Sequence, residues 1–160
     1  MKKLGAIFNI LILTLLLVAC VGTIDSYTIT FETNGGTPIE TIEADANFDL
    51  ASLEALTTTK EGYEFDGWFT DISLDPESIV DEAITGSITL YAKWNIINYT
   101  ITYHLDGGSN HLDNPSSYTI LDEVVLKTPS KEGYIFSGWL IDNDTTKAIS
   151  QIQLGSTNNL

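Results

Sequence analysis

Lys60-Glu-Gly-Tyr-Glu-Phe-Asp-Gly-Trp68 returns as Lys131-Glu-Gly-Tyr-Ile-Phe-Ser-Gly-Trp139. A second matched string lies upstream of each copy: Tyr27-Thr-Ile-Thr-Phe ending in Asn34-Gly35-Gly36, and Tyr99-Thr-Ile-Thr-Tyr ending in Asp106-Gly107-Gly108. The offsets are 99 − 27 = 72 for the upstream strings and 131 − 60 = 71 for the downstream ones. Two landmarks that hold one offset to within a residue define a tandem repeat. Within the signature, Tyr63 and Phe65, or Tyr134 and Phe136, alternate with their neighbours at the period of a strand with one buried face. Gly67 and Gly138 interrupt that alternation, which predicts a bulge or close backbone approach that turns Trp68 and Trp139 back toward the core.

The combined pattern is a Tyr-Thr-Ile-Thr-Phe strand, an Asn-Gly-Gly turn, the signature with Gly62 and Gly133 at its head, and the closing Ile88-Thr-Leu-Tyr-Ala-Lys-Trp94. It resembles the Listeria-Bacteroides repeat, also called the internalin B-repeat. The first copy resembles it from end to end. The second lacks the Leu-Tyr-Ala-Lys-Trp string: with Gly155-Ser156 set against Gly86-Ser87, the sequence ends at Leu160 where the closing strand is due. The resemblance implies a small β-grasp-like module, found in tandem on bacterial surface proteins as a stalk or adhesive element and not as a catalyst. The missing strand predicts a fragment of a longer polypeptide, with strand donation by a partner as the alternative.

The expected fold class is α+β, mostly β, with two tandem modules, the second without its closing strand. Residues 1–19 read as a signal peptide, 20–26 as a lipidated tether, 27–94 as the first module, 95–98 as a semi-rigid linker and 99–160 as the truncated second module. Each module is near the size at which one core only marginally offsets chain entropy, so the aromatic residues are expected to supply much of the buried area.

The N-terminus carries Lys2 and Lys3, then an apolar run from Leu4 to Val18, too short for the roughly 20 residues of a membrane-spanning helix. It closes on Leu17-Val18-Ala19-Cys20, which resembles a bacterial lipobox with cleavage between Ala19 and Cys20. Cys20 is the sole cysteine, so an internal disulfide is excluded, and its position favours acylation over redox, metal or nucleophilic chemistry. Two or three acyl chains at about 0.8 kcal/mol per buried methylene make a stable anchor. The expected location is the outer face of a bacterial membrane, at the cell surface.

Seven lysines, no arginine and 22 acidic residues give a formal charge of −15, and loss of Lys2 and Lys3 brings it to 5 − 22 = −17. Such a chain repels phosphate backbones and lacks the bidentate donor that nucleic acids favour.

Inside the first module, Tyr27, Ile29 and Phe31 share one strand face, and a second strand is expected over Ile39 to Ala44. Leu50, Leu53 and Leu56 recur at helical spacing behind Asp49, a candidate N-cap. Asp71, Asp75, Glu77, Asp81 and Glu82 crowd the loop from Thr70 to Gly86, without the order of a calcium loop, so a solvated loop is expected and no metal. Asp142-Asn143-Asp144 reads as a turn. His104 and His111 stand in one copy only and in no zinc or triad pattern. No catalytic residue, cofactor or metal is assigned, and the chain is read as non-enzymatic. The principal reading is a lipid-anchored surface spacer or adhesive element with a protein or glycan partner. The alternatives are a carbohydrate- or protein-binding module presenting some of Tyr91, Trp68 and Trp94, or the N-terminal part of a longer surface effector or enzyme. Burial of the aromatics separates the first two: rings in the core are seams, and rings in solvent are platforms.

Overall fold

The computed structural model describes residues 26–141 and 144–160. The signal segment, the cleavage pair Ala19 and Cys20, most of the tether and the turn residues Asp142 and Asn143 lie outside them. Among the described residues, no helix is long and apolar enough to cross a membrane.

The first unit comprises β1 (Tyr27–Glu32), β2 (Ile42–Ala44), α1 (Ala51–Glu54), β3 (Tyr63–Phe69) and β4 (Ile88–Ile96). They form one sheet in the order β2-β1-β4-β3. β1 and β4 run parallel at the centre, and β2 and β3 lie antiparallel at the edges. A parallel central pair needs a crossover, and α1 lies in it. This is the β-grasp arrangement that the resemblance implies. Alternation puts Tyr27 and Ile29 of β1, and Leu90 and Ala92 of β4, on the buried face, where they meet Ala44, Leu53 and Trp68. Ile29 and Leu90 are wholly enclosed, each worth about 2 kcal/mol of transfer free energy.

Three expectations change here. The second strand is confined to Ile42–Ala44, because only those residues oppose Tyr27 to Ile29. The helix is a single turn, and its N-cap position is Leu50, not Asp49. Asp49 acts one residue earlier, its Oδ1 accepting the Ala51 amide hydrogen at 3.0 Å. The closing strand also runs past Trp94: Asn95 and Ile96 pair with Glu64 and Tyr63, and the Ile97 amide donates to the Gly62 carbonyl. The early residues of β3 would otherwise have no ladder partner, so half of the expected linker is strand.

The second unit holds β5 (Tyr99–Thr100), β6 (Ser117–Tyr118), β7 (Val124–Val125), β8 (Trp139–Ile141), β9 (Asp144–Ile149) and β10 (Gln151–Ile152). These make three separate pairs, β5-β6, β7-β10 and β8-β9. Its small core is Ile101, Tyr118 and Ile152. The units touch where Ile120 lies against Gly62: a Cβ added at Gly62 would fall 2.6 Å from that side chain.

Candidate functional site

The signature of the first unit is a set of interlocked rings. Between Phe65 and Gly67 the ladder slips by one residue, so that Phe65 opposes Trp94, Gly67 opposes Lys93 and Trp68 opposes Ala92. Without that bulge Phe65 and Trp68, three apart, would point to opposite faces. With it both point inward, and Gly67 takes the positive φ of 127° that the slip requires. Phe31 and Phe65 meet Trp68 edge-on at 4.9 and 5.2 Å, and Phe65 meets Trp94 at 5.6 Å. Trp68 is 5% exposed, and its Nε1 donates to the Leu56 carbonyl at 2.8 Å. Trp94 Nε1 donates to the Thr33 carbonyl at 2.9 Å. Gly36 leaves room for that indole, since a Cβ there would fall 2.5 Å from Trp94 Cζ2. Each ring thus buries its apolar body and satisfies its polar tip.

Lys60 belongs to the same set. Its Nζ donates to the Asn34 carbonyl at 3.0 Å and sits 4.4 Å from the Tyr63 ring and 5.8 Å from that of Trp94. Asn34, at a φ of 49°, donates from Nδ2 to the Ala92 carbonyl at 2.7 Å, tying the turn to the closing strand.

Among the described residues, the second unit repeats this set without a counterpart of Trp94. Tyr103 and Phe136 meet Trp139 at 5.2 and 5.1 Å, and Trp139 Nε1 donates to the Lys127 carbonyl at 3.3 Å. Gly138 has a φ of 145°. Lys131 Nζ donates to the Asp106 carbonyl at 2.7 Å and lies 4.3 Å from the Tyr134 ring. Among the described residues no ring takes the place of Trp94. Residues 101–105 and 134–138, which correspond to the later part of β1 and the earlier part of β3, belong to no strand, and no described strand pairs with both. The expectation of a buried signature is therefore corrected in this copy: Tyr134, Ile135 and Phe136 are 71%, 96% and 37% exposed. They border an open slot of about 530 Å³ that also contains Ile101, Tyr103, Trp139 and Leu160.

One residue of the closing strand is nevertheless in place. The Leu160 amide donates to the Thr100 carbonyl at 2.9 Å, and the Leu160 carbonyl accepts from the Thr102 amide at 2.5 Å. Asn159 Oδ1 accepts the Thr100 amide at 2.8 Å, just as Ser87 Oγ accepts that of Thr28 at 3.0 Å. Leu160 thus stands opposite Ile101 as Ile88 stands opposite Ile29. This corrects the alignment of Gly155-Ser156 with Gly86-Ser87. The signal was legible: the offset of 72 between Tyr27 and Tyr99, carried forward, sets Leu160 against Ile88.

The remaining candidates do not converge. His111 Nδ1 accepts the Asp113 amide at 3.2 Å within its own loop. In the acidic loop Asp71 Oδ1 accepts the Ser73 amide at 2.7 Å, and its bonds to Ser73 hold its carboxyl below the ordinary value. Among the described residues no group of three or more His, Cys, Asp or Glu side chains is arranged to hold a metal. Tyr91 is on the sheet face opposite Leu90 and Ala92, half-buried, apart from the two tryptophans with which a platform was considered.

The sequence profile of the Listeria-Bacteroides repeat domain matches residues 27–93 and again residues 99–160. A protein of Evansella cellulosilytica named as a membrane protein is 34% identical over 128 residues, 78% of this chain and 18% of its own length. Another from that organism, named as a Gly-rich membrane protein, is 35% identical over 127 residues, 78% of this chain and 14% of its own. Internalin H of Listeria monocytogenes is 32% identical over 117 residues, 72% of this chain and 20% of its own. The chain therefore spans a fifth or less of these curated relatives. Their names tie the repeat to bacterial membrane and cell-surface proteins. No solved structure matches the chain significantly.

Proposed function

The chain belongs to the Listeria-Bacteroides repeat domain family, and from that premise we propose that it is a non-enzymatic surface lipoprotein whose repeats serve as a spacer or adhesive element. Acylated Cys20, once residues 1–19 are removed, holds it to the outer face of the bacterial membrane. The observation that carries this reading is the burial of Trp68, 5% exposed and bonded to the Leu56 carbonyl. The signature is in that unit a folding seam and not a ligand platform, as suits a module whose task is to repeat and to hold its shape. The charge of 5 − 22 = −17 left after removal of residues 1–19 accords with solubility outside the cell.

The test is expression of the chain with its leader in a bacterium fed a clickable fatty acid. The wild type is expected in the membrane fraction, labelled, and removable from intact cells by protease. Cys20→Ala is expected unlabelled. Recovery of the wild type unlabelled and protected from protease would overturn the proposal.

A further inference from the structure

We propose that the Asn34-Gly35 bond is a covalent modification site, at which Asn34 loses its side-chain amide through a succinimide, and that release of its turn from β4 gates the reaction. Asn34 is the only asparagine followed by glycine in the sequence. Glycine has no Cβ to shield its amide nitrogen, Gly35 is exposed, and its amide donates to no group among the described residues. The steps balance with water as the only co-reactant. The Gly35 nitrogen attacks Cγ of Asn34, its proton passing through water to the departing nitrogen. The new N–Cγ bond closes a five-membered ring as the Cγ–Nδ2 bond breaks and ammonia leaves. Water then opens the ring, giving aspartate where the N–Cγ bond breaks and isoaspartate where the original peptide bond breaks.

The folded turn holds this chemistry off. Asn34 and Gly35 have φ of 49° and 85°, and the Gly36 amide donates to the Thr33 carbonyl at 3.0 Å, as in the two-residue type I′ turn that Asn-Gly favours. In the left-handed region ψ is roughly +30° to +60°, which sets the Gly35 nitrogen nearly anti to Cβ of Asn34, whereas the ring requires the two to eclipse. Nδ2 is held on the Ala92 carbonyl at 2.7 Å, and the Asn34 carbonyl accepts from Lys60 Nζ at 3.0 Å. The ring can therefore close only after the turn leaves β4 and Asn34 rotates. The aspartate product is one that the turn accommodates. In the second unit Asp106 and Gly107 keep φ of 48° and 85°, with the Gly108 amide on the Leu105 carbonyl at 2.8 Å and Lys131 Nζ on the Asp106 carbonyl at 2.7 Å. A carboxylate at position 34, however, cannot donate to the Ala92 carbonyl, and isoaspartate adds a main-chain carbon to a turn of fixed length. Each event thus leaves the turn less firmly tied to the closing strand.

The test incubates the full chain, folded or in urea, and a peptide of sequence Tyr27–Ala44 in mildly alkaline buffer. Conversion of Asn34 is read by peptide mass spectrometry, and isoaspartate by an isoaspartyl methyltransferase with a labelled methyl donor. The peptide and the urea-unfolded chain are expected to convert alike, and the folded chain at least about 100-fold more slowly. Lys60→Met, which removes one bond to the turn, should raise the folded rate about fivefold. Trp68→Ala, which loosens the core beneath β4, should raise it further. Asn34→Asp, the product made directly, should fold with a lower urea midpoint. The proposal is overturned if Asn34 stays intact in the unfolded chain, if the folded chain converts as fast as the peptide, or if Lys60→Met and Trp68→Ala leave the folded rate unchanged. An unchanged midpoint in Asn34→Asp would equally overturn it, because the turn would then be tied to β4 without the amide.

Discussion

Trp68 and Trp139 occupy the same place in two copies of one motif, yet their surroundings differ. Trp68 has Phe31, Phe65, Leu90 and Ala92 about it and is buried, while Trp139 has Tyr103 and Phe136 but borders an open slot. Trp68→Ala should therefore cost about 3–5 kcal/mol, and Trp139→Ala clearly less, in urea unfolding of the two variants. Equal losses would mean that both rings are equally enclosed. A second residue-scale prediction concerns Asp122, whose Oδ2 accepts from the Thr119 hydroxyl at 2.8 Å and the Thr119 amide at 2.7 Å. These bonds favour the carboxylate, the hydroxyl foremost, and hold its pKa below the ordinary aspartate value. Because the folded value lies under the unfolded one, the contribution to stability is present above the unfolded pKa and is lost as pH falls through the folded value. In a carboxyl-carbon NMR titration Asp122 should show a midpoint below that of an unperturbed aspartate, and Thr119→Ala should raise it.

At the scale of elements, the bulge in β3 decides which ring goes inward, and Gly67 is the residue that permits it. Its φ of 127° is disallowed to side chains other than hydrogen, so Gly67→Ala should cost about 1–3 kcal/mol through strain alone, although a Cβ there meets only Phe69 and Ile79 atoms at 3.8 and 3.9 Å. Thermal unfolding checks this, and an unchanged midpoint would show that the strand can realign without the slip. This bulge was legible in the sequence, because Phe65 and Trp68 are both large and apolar at a spacing that a regular strand cannot bury on one side. The faces of β1 and β4 were legible from alternation: Ile29 is flanked by Thr28 and Thr30, and Leu90 and Ala92 alternate with Thr89, Tyr91 and Lys93. Less of the flanking structure could be read. The pattern over Ile39–Ala44 is degenerate, and pairing with Tyr27–Ile29 alone selects three of those residues. Asn95 and Ile96 carry no turn signal, so only the need of Tyr63 and Glu64 for partners shows that the strand continues. In the second copy the signature was read as buried because its residues match the first. Burial there depends on a strand that is not local to the signature, and residue identity carries no record of it.

For the whole molecule, the repeat gives an internal control at every equivalent pair. Gly62 and Gly133 share nearly the same backbone, with φ of 77° and 76°, but a Cβ at Gly62 would meet Ile120 at 2.6 Å while one at Gly133 meets nothing within 4 Å. Both Gly→Ala variants bear the left-handed strain of about 1–2 kcal/mol, and only Gly62→Ala also disturbs the contact between units. Spin-label distances across the units should therefore broaden in Gly62→Ala and stay unchanged in Gly133→Ala. Identical distributions in both would remove Ile120 as the contact that orients the pair. The larger claim is that the two copies are one fold, closed by β4 in the first and, among the described residues, carried only to the first residue of that strand, Leu160, in the second. Residue-resolved hydrogen exchange on the full chain tests it most directly. The account predicts slow amides within Tyr63–Phe69 and exchange at least about 100-fold faster throughout residues 134–138. Equal protection of the two segments would contradict it.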